Sequence, residues 1–197
     1  MGTLYKIDEE IFIWLNGWVG YFPWLDFTVE LAISDYAIPV MVSLVMFGLW
    51  FSNKVGDSSE VNQMAVLNAI MGLAIANMMV DWLINSFYFR PRPFINYDVN
   101  LLFYEPTDSS FPSNPAAMSF AVATGIFYWN KPIGIVLYCL AAIFSISRVY
   151  GGVSYPFDAF GGAVIGIISG AVATVGIVNI RMIPKFVIKV ARSLHLG

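Results

Sequence analysis

Three short pieces of this chain carry groups able to hold an anion, at residues 85–93, 112–115 and 147–158. They contribute Arg92, Ser113 and Arg148, and they flank an apolar run that starts at 116. Two guanidiniums, a hydroxyl and the free N–H groups of a helix start make a phosphate or oxyanion cradle. Arg90, Arg92 and Arg148 are the three arginines between residues 61 and 180. In an oily chain such charges are costly, and they are usually paired or functional. The third piece adds a hydroxyl, Ser154, and a carboxylate, Asp158.

The elements that must position these groups are membrane helices. The chain has 197 residues, of which 58% are hydrophobic and 12% charged, with a mean hydropathy of +0.72. A soluble domain carries about twice that charged fraction. The apolar blocks are continuous, which excludes the alternating pattern of a membrane barrel, and they approach the ~20 residues a helix needs to cross a bilayer. The expected fold is an all-α integral membrane protein with about five transmembrane helices, at 36–51, 63–87, 116–129, 133–147 and 159–178. A single membrane domain covers 1–197. Residues 1–35 form interfacial amphipathic helices, the first over 7–22 with Asp8 as N-cap and Pro23 as its end. The bundle occupies 36–180, with motif loops at 85–115 and 147–158 and a polar loop at 52–62. Residues 181–197 form a basic cytoplasmic tail. Gly161, Gly162, Gly166 and Gly170 imply close packing of the last span against a neighbour.

Acids at 8–10 rule out a cleavable signal at the N-terminus. Cys139 is the only cysteine and His195, in the tail, the only histidine. A disulfide framework, a thiolate metal cluster and buried histidine ligands are thereby excluded, and no cofactor or metal is expected. Six basic residues (Lys54, Lys131, Arg181, Lys185, Lys189 and Arg192) fall on one side of a five-span topology. That side is expected to be cytoplasmic, with the motif loops on the extracytoplasmic face of the plasma (inner) membrane. Membrane lipids are the expected partners, with a membrane-protein partner or oligomer in addition, and no nucleic acid.

The motifs Phe89-Arg90-Pro91-Arg92-Pro93-Phe94, Asp108-Ser109-Ser110-Phe111-Pro112-Ser113, Ser147-Arg148 and Tyr155-Pro156-Phe157-Asp158-Ala159-Phe160-Gly161-Gly162 resemble the type 2 phosphatidic acid phosphatase superfamily, nearest its bacterial undecaprenyl-diphosphatase branch. The resemblance covers about residues 80–170. It implies metal-free dephosphorylation of lipid phosphates, with phosphate held at positions matching Arg92, Ser113 and Arg148. Three positions depart from the family pattern: Asn85 stands for its lysine, Pro115 for the histidine that protonates the leaving group, and Ser154 for the nucleophilic histidine. Asp158 matches the acid that orients that nucleophile.

A serine hydroxyl is a weak nucleophile without an adjacent base, and general acid–base help is worth about 10²–10⁴-fold. The leading expectation is therefore a catalytically impaired protein, not an enzyme, that binds a polyprenyl or glycerolipid phosphate or acts as a structural subunit of a membrane complex. The alternative is an active phosphatase on undecaprenyl diphosphate or phosphatidate-type lipids. A third account is an engineered inactivation. Plainer roles stand beside these. Pro115 suits the first turn of a helix capped by Ser113 or Asn114. Ser154 reads as a small loop residue, and Asp158 as the cap of the last span. Arg90 is expected to face lipid head groups. Asp81, in step with Asn77 and Asn85, either pairs with Arg92 or Arg148 or is wet.

Overall fold

In the computed structural model the described residues are 2–52, 57–86, 89–180 and 182–194, with side chains for all of these except 2, 57, 58, 84–86, 183 and 192. The expectations for Lys54, Arg181 and His195, and for the side chains of Asn85 and Arg192, lie outside them. Nine helices follow one another among these residues: α1 (Gly2–Asn16), α2 (Pro23–Ile33), α3 (Ala37–Trp50), α4 (Asp57–Ser86), α5 (Pro93–Asn96), α6 (Asn114–Trp129), α7 (Lys131–Tyr150), α8 (Pro156–Asn179) and α9 (Met182–Ser193).

The chain is an all-helical membrane bundle, as the sequence leads one to expect. Three helices are long and apolar enough to cross a bilayer, within α4 (Ser59–Leu83), α7 and α8. A fourth crossing arises if α2 and α3 act as one span bent by 54°. Helix α3 has 14 residues and α6 has 16. At 1.5 Å per residue α6 is about 24 Å long, short of the ~30 Å hydrocarbon core. It starts inside the protein instead of at its surface: Ser113 is buried, and Ala116 and Ala117 are fully so.

This short helix is the axis of the bundle, packed against α4, α7 and α8. The contact with α8 is backbone on backbone. A Cβ on Gly166 would lie 2.3 Å from the Ala117 carbonyl oxygen, and one on Gly162 2.3 Å from that of Ser113. The glycines thus let α8 press on the beginning of α6, in line with small-residue packing between membrane helices. A second core joins α3, α4, α6 and α7 through Leu49, Val66, Ala69, Val122, Ile126 and Leu137.

The N-terminal helix runs over 2–16, not 7–22, and Pro23 opens α2 instead of ending α1. Asp8 is therefore mid-helix and is not an N-cap. Its neighbours at one-turn spacing are Phe12 and Asn16, and all three are buried, while Trp14 and Trp18 are exposed. A helix beside lipid turns its polar groups toward protein and its oily ones outward, the reverse of a soluble helix. Asn16 Nδ2 donates to the carbonyls of Tyr150 (2.8 Å) and Asn100 (2.9 Å) and so ties α1 to the end of α7. Helix α4 begins six residues earlier than the polar loop expected at 52–62 allowed. Helix α9 buries Pro184 and Ile188 and leaves Lys185 and Lys189 exposed, with Lys185 Nζ 3.4 Å from Glu60.

Candidate active site

The site forms where α7 ends, α6 begins and α8 begins. Helix α7 stops at Gly151, and Gly152 takes φ +87°, a left-handed conformation that glycine adopts without strain. The turn closes through Val153 N–H on the Arg148 carbonyl (3.1 Å). Arg92 then donates through Nη1 to the Val153 carbonyl (2.6 Å), which joins the first motif to the third. Ser113 N–H donates to the Asp158 carbonyl (3.0 Å), which joins the second motif to the third. Arg92, Ser113, Arg148, Ser154 and Asp158 are thus gathered at one end of the bundle, all buried. Ser113 is the N-cap residue of α6, and Pro115 lies in that helix's first turn, where its missing N–H leaves no orphan.

The three arginines differ sharply in what they touch. Arg90 is buried, contrary to the expectation that it meets head groups. It donates through Nη1 to Asp158 Oδ1 and through Nη2 to Asp8 Oδ2 at 2.8 Å. Its guanidinium lies 4.0 Å from the Tyr155 ring centre. Burial alone would lower the pKa of Arg90, but the Asp158 and Asp8 carboxylates outweigh it and hold the guanidinium above its ordinary value. Arg92 is also well satisfied. Besides Val153, it reaches the Asp108 carbonyl (3.1 Å) and the Asp108 carboxylate (2.8 Å).

Arg148 is not. Its Nε and Nη1 are buried without an acceptor. Its one ion-pair partner among the described residues, Asp35, is 3.9 Å away, too far for a hydrogen bond. The rings of Phe103 and Phe144 stack near it, with centres at 5.3 and 5.9 Å, and such contacts hold a cation without using its N–H groups. Ser154 Oγ and Asn114 Oδ1 are buried and unpartnered as well.

Asp158 is not the N-cap of α8, which is Tyr155. It sits in the first turn, where Oδ2 accepts the Tyr155 N–H (3.3 Å) and the Ser110 hydroxyl, while Oδ1 takes Arg90. Its oxygens are thus engaged away from Ser154. Asp81 pairs with neither Arg92 nor Arg148. It is exposed on α4, and Asn77 Nδ2 donates to it at 3.1 Å. Asp8, Asp35, Tyr104, Asp108 and Ser110 were missed as site neighbours in the sequence. One signal was available: Asp8 and Asp158 are acids in oily surroundings and need a cation, and Arg90 was free to supply it.

The PAP2 superfamily profile matches residues 65–181. The chain belongs to the PAP2 superfamily. Undecaprenyl-diphosphatase BcrC of Bacillus subtilis is 30% identical to this PAP2 protein over 164 residues, which cover 83% of this chain and 81% of that one. The crystal structure of Aquifex aeolicus LpxE aligns with TM-score 0.63 and 30% identity, over 84% of this chain and 93% of that one. The crystal structure of a PAP2 type phosphatidylglycerolphosphate phosphatase from Bacillus subtilis aligns with the same score at 21% identity, over 91% and 89%, and supports the fold. This likeness corrects the expectation that the chain is not an enzyme: a curated relative that matches most of it at 30% identity is named a diphosphatase.

Proposed function

We propose that this PAP2 protein is a membrane phosphatase acting on a polyprenyl diphosphate of the undecaprenyl diphosphate kind. The observation that carries the reading is Arg148, a buried cation with unused N–H groups beside a turn that also leaves Ser154 Oγ without a partner. A terminal phosphoryl group supplies the missing acceptors. Arg148 and the Ser113 hydroxyl hold its oxygens, the free N–H groups at the start of α6 assist, and Arg92 stiffens the turn with at most a small share of its own donors left.

Phosphoryl transfer passes through a loose transition state, so positioning and charge stabilisation do most of the work. Such a site retains value without an imidazole. Ser154 Oγ attacks the terminal phosphorus, the bond to the bridging oxygen breaks, and the hydroxyl proton passes to a phosphoryl oxygen. Water then cleaves the phosphoserine and releases inorganic phosphate. Pro115 offers no proton to the leaving group. A diphosphate tolerates this, because its leaving group is a phosphate with a second pKa of about 6. A phosphatidate must expel an alkoxide and does not. This difference favours the anhydride over the monoester. In the five-span topology read from the sequence, six basic residues lie on the side opposite the motif loops, which supports an extracytoplasmic site in the plasma membrane.

The test is release of inorganic phosphate by the full-length protein in detergent. Undecaprenyl diphosphate should be turned over above a protein-free control and phosphatidate much more slowly. Restoring Pro115→His and Ser154→His together should raise turnover by at least ~10²-fold. Absence of release from undecaprenyl diphosphate above the control would overturn the proposal.

A further inference from the structure

The loose pairing of Arg148 with Asp35 has a counterpart that shows what it lacks. Arg92 is closed from outside by Asp108, half-exposed, with a carboxylate contact of 2.8 Å and a second bond to the same residue's carbonyl. Arg148 is also faced by a half-exposed carboxylate, Asp35, but at 3.9 Å and with no bond between them. What holds Asp35 is a different group: the Tyr104 hydroxyl donates to its Oδ2 at 3.0 Å. Asp35 lies in the break between α2 and α3, and Tyr104 in the loop between α5 and α6. Both elements of this contact are surface segments outside the packed bundle.

Asp35 has a second neighbourhood. It lines a cleft of about 270 Å³ whose walls are mainly apolar and include Val42, Leu73, Pro115, Met118 and Phe144. The cleft therefore runs from the carboxylate past the first turn of α6, between α3, α4, α6 and α7. One end is charged and adjoins Arg148, and the rest suits hydrocarbon.

We propose that Asp35 is a displaceable counter-ion for Arg148, held ready by Tyr104 at the point where the anion cradle meets the apolar cleft. This rests on the function proposed above. In the unliganded protein Asp35 offsets part of the buried charge of Arg148 without occupying its N–H groups. A lipid phosphate replaces it: the phosphoryl oxygens take the Arg148 N–H groups, the Asp35 carboxylate turns out toward water on Tyr104, and the first segments of the lipid chain enter the cleft. The residue thus sets affinity by competing with the ligand for one cation.

Anion titration tests this independently of turnover. The full-length protein in detergent is titrated calorimetrically with inorganic phosphate and with a methylene-bridged farnesyl diphosphate analogue, which is not hydrolysed. Asp35→Asn keeps an acceptor for Tyr104 and removes the competing charge, so both probes should bind at least about 5-fold more tightly than to the wild type. Asp35→Ser, a second neutral variant, should shift affinity in the same direction. Unchanged or weaker binding by both variants, with the wild type binding, would overturn the counter-ion role and leave the cradle standing. Failure of the wild type and both variants to bind either probe would overturn the cradle and the counter-ion role together.

Discussion

Arg90 and Arg148 are both buried arginines at the same end of the bundle, and they do opposite things. Arg90 lies between two carboxylates, Asp8 and Asp158, and against the face of Tyr155. It fastens three separate stretches of chain: α1, the loop before α5, and the first turn of α8. Arg148 lies between two rings and keeps two nitrogens, Nε and Nη1, unmatched. A buried donor without an acceptor costs about 1–3 kcal/mol, more when charged. The comparison separates an arginine tied into the scaffold from one with donors left over for the proposed phosphoryl ligand, although the two look alike in sequence.

Three substitutions break or sharpen that contrast. The largest effect belongs to Arg90→Met, which leaves Asp8 and Asp158 buried and uncompensated. Removing one member of a buried ion pair costs about 3–5 kcal/mol, so the variant should lose its cooperative thermal transition in detergent or show a strongly lowered Tm. A Tm within a few degrees of wild type would show that the cluster is not a scaffold. Next is Gly166→Val, which tests the close approach of α8 to α6 away from any charge. The added Cβ would lie 2.3 Å from the Ala117 carbonyl oxygen, and overpacking of this kind costs about 1–3 kcal/mol. The expected result is a smaller fall in Tm than for Arg90→Met, read by the same melt. The smallest effect on stability belongs to Arg148→Met. It removes unsatisfied donors and deprives no hydrogen-bonded partner, so Tm should hold or rise.

Much of the architecture was legible because membrane helices announce themselves by length and oiliness. Spans at α4, α7 and α8 and the close packing of the glycine-rich helix follow from that signal. Helix α6 was harder. Its apolar run reads as a span, but its first turn is buried beneath the site, which is a fact of packing. Helix α1 was misplaced because Ile11, Trp14, Leu15 and Trp18 pattern like a buried stripe. The buried stripe is Asp8, Phe12 and Asn16, two of them polar, as suits a helix whose oily face meets lipid.

At the site, Ser113, Arg148 and Asp158 lie near one another because their motifs sit at the ends of α6, α7 and α8, and Arg92 joins them from the start of α5 through Val153. Which arginine is satisfied was not legible. Arg90 and Arg92 flank Pro91 in an extended segment, and extended chain points alternate side chains to opposite sides. One reaches α1 and α8, and the other reaches the turn after α7. Spacing alone says nothing of what waits on either side. Asp35 was invisible for a similar reason: it lies far from every motif in sequence, and only the bend between α2 and α3 carries it to Arg148.

The most direct test of the whole account is therefore the rate of phosphate release from undecaprenyl diphosphate by Arg148→Met and by wild type, each shown to be folded by its melt. The account predicts measurable release by the wild type and loss of at least ~10²-fold in Arg148→Met at an unchanged or higher Tm. Equal release by the two folded proteins would contradict it.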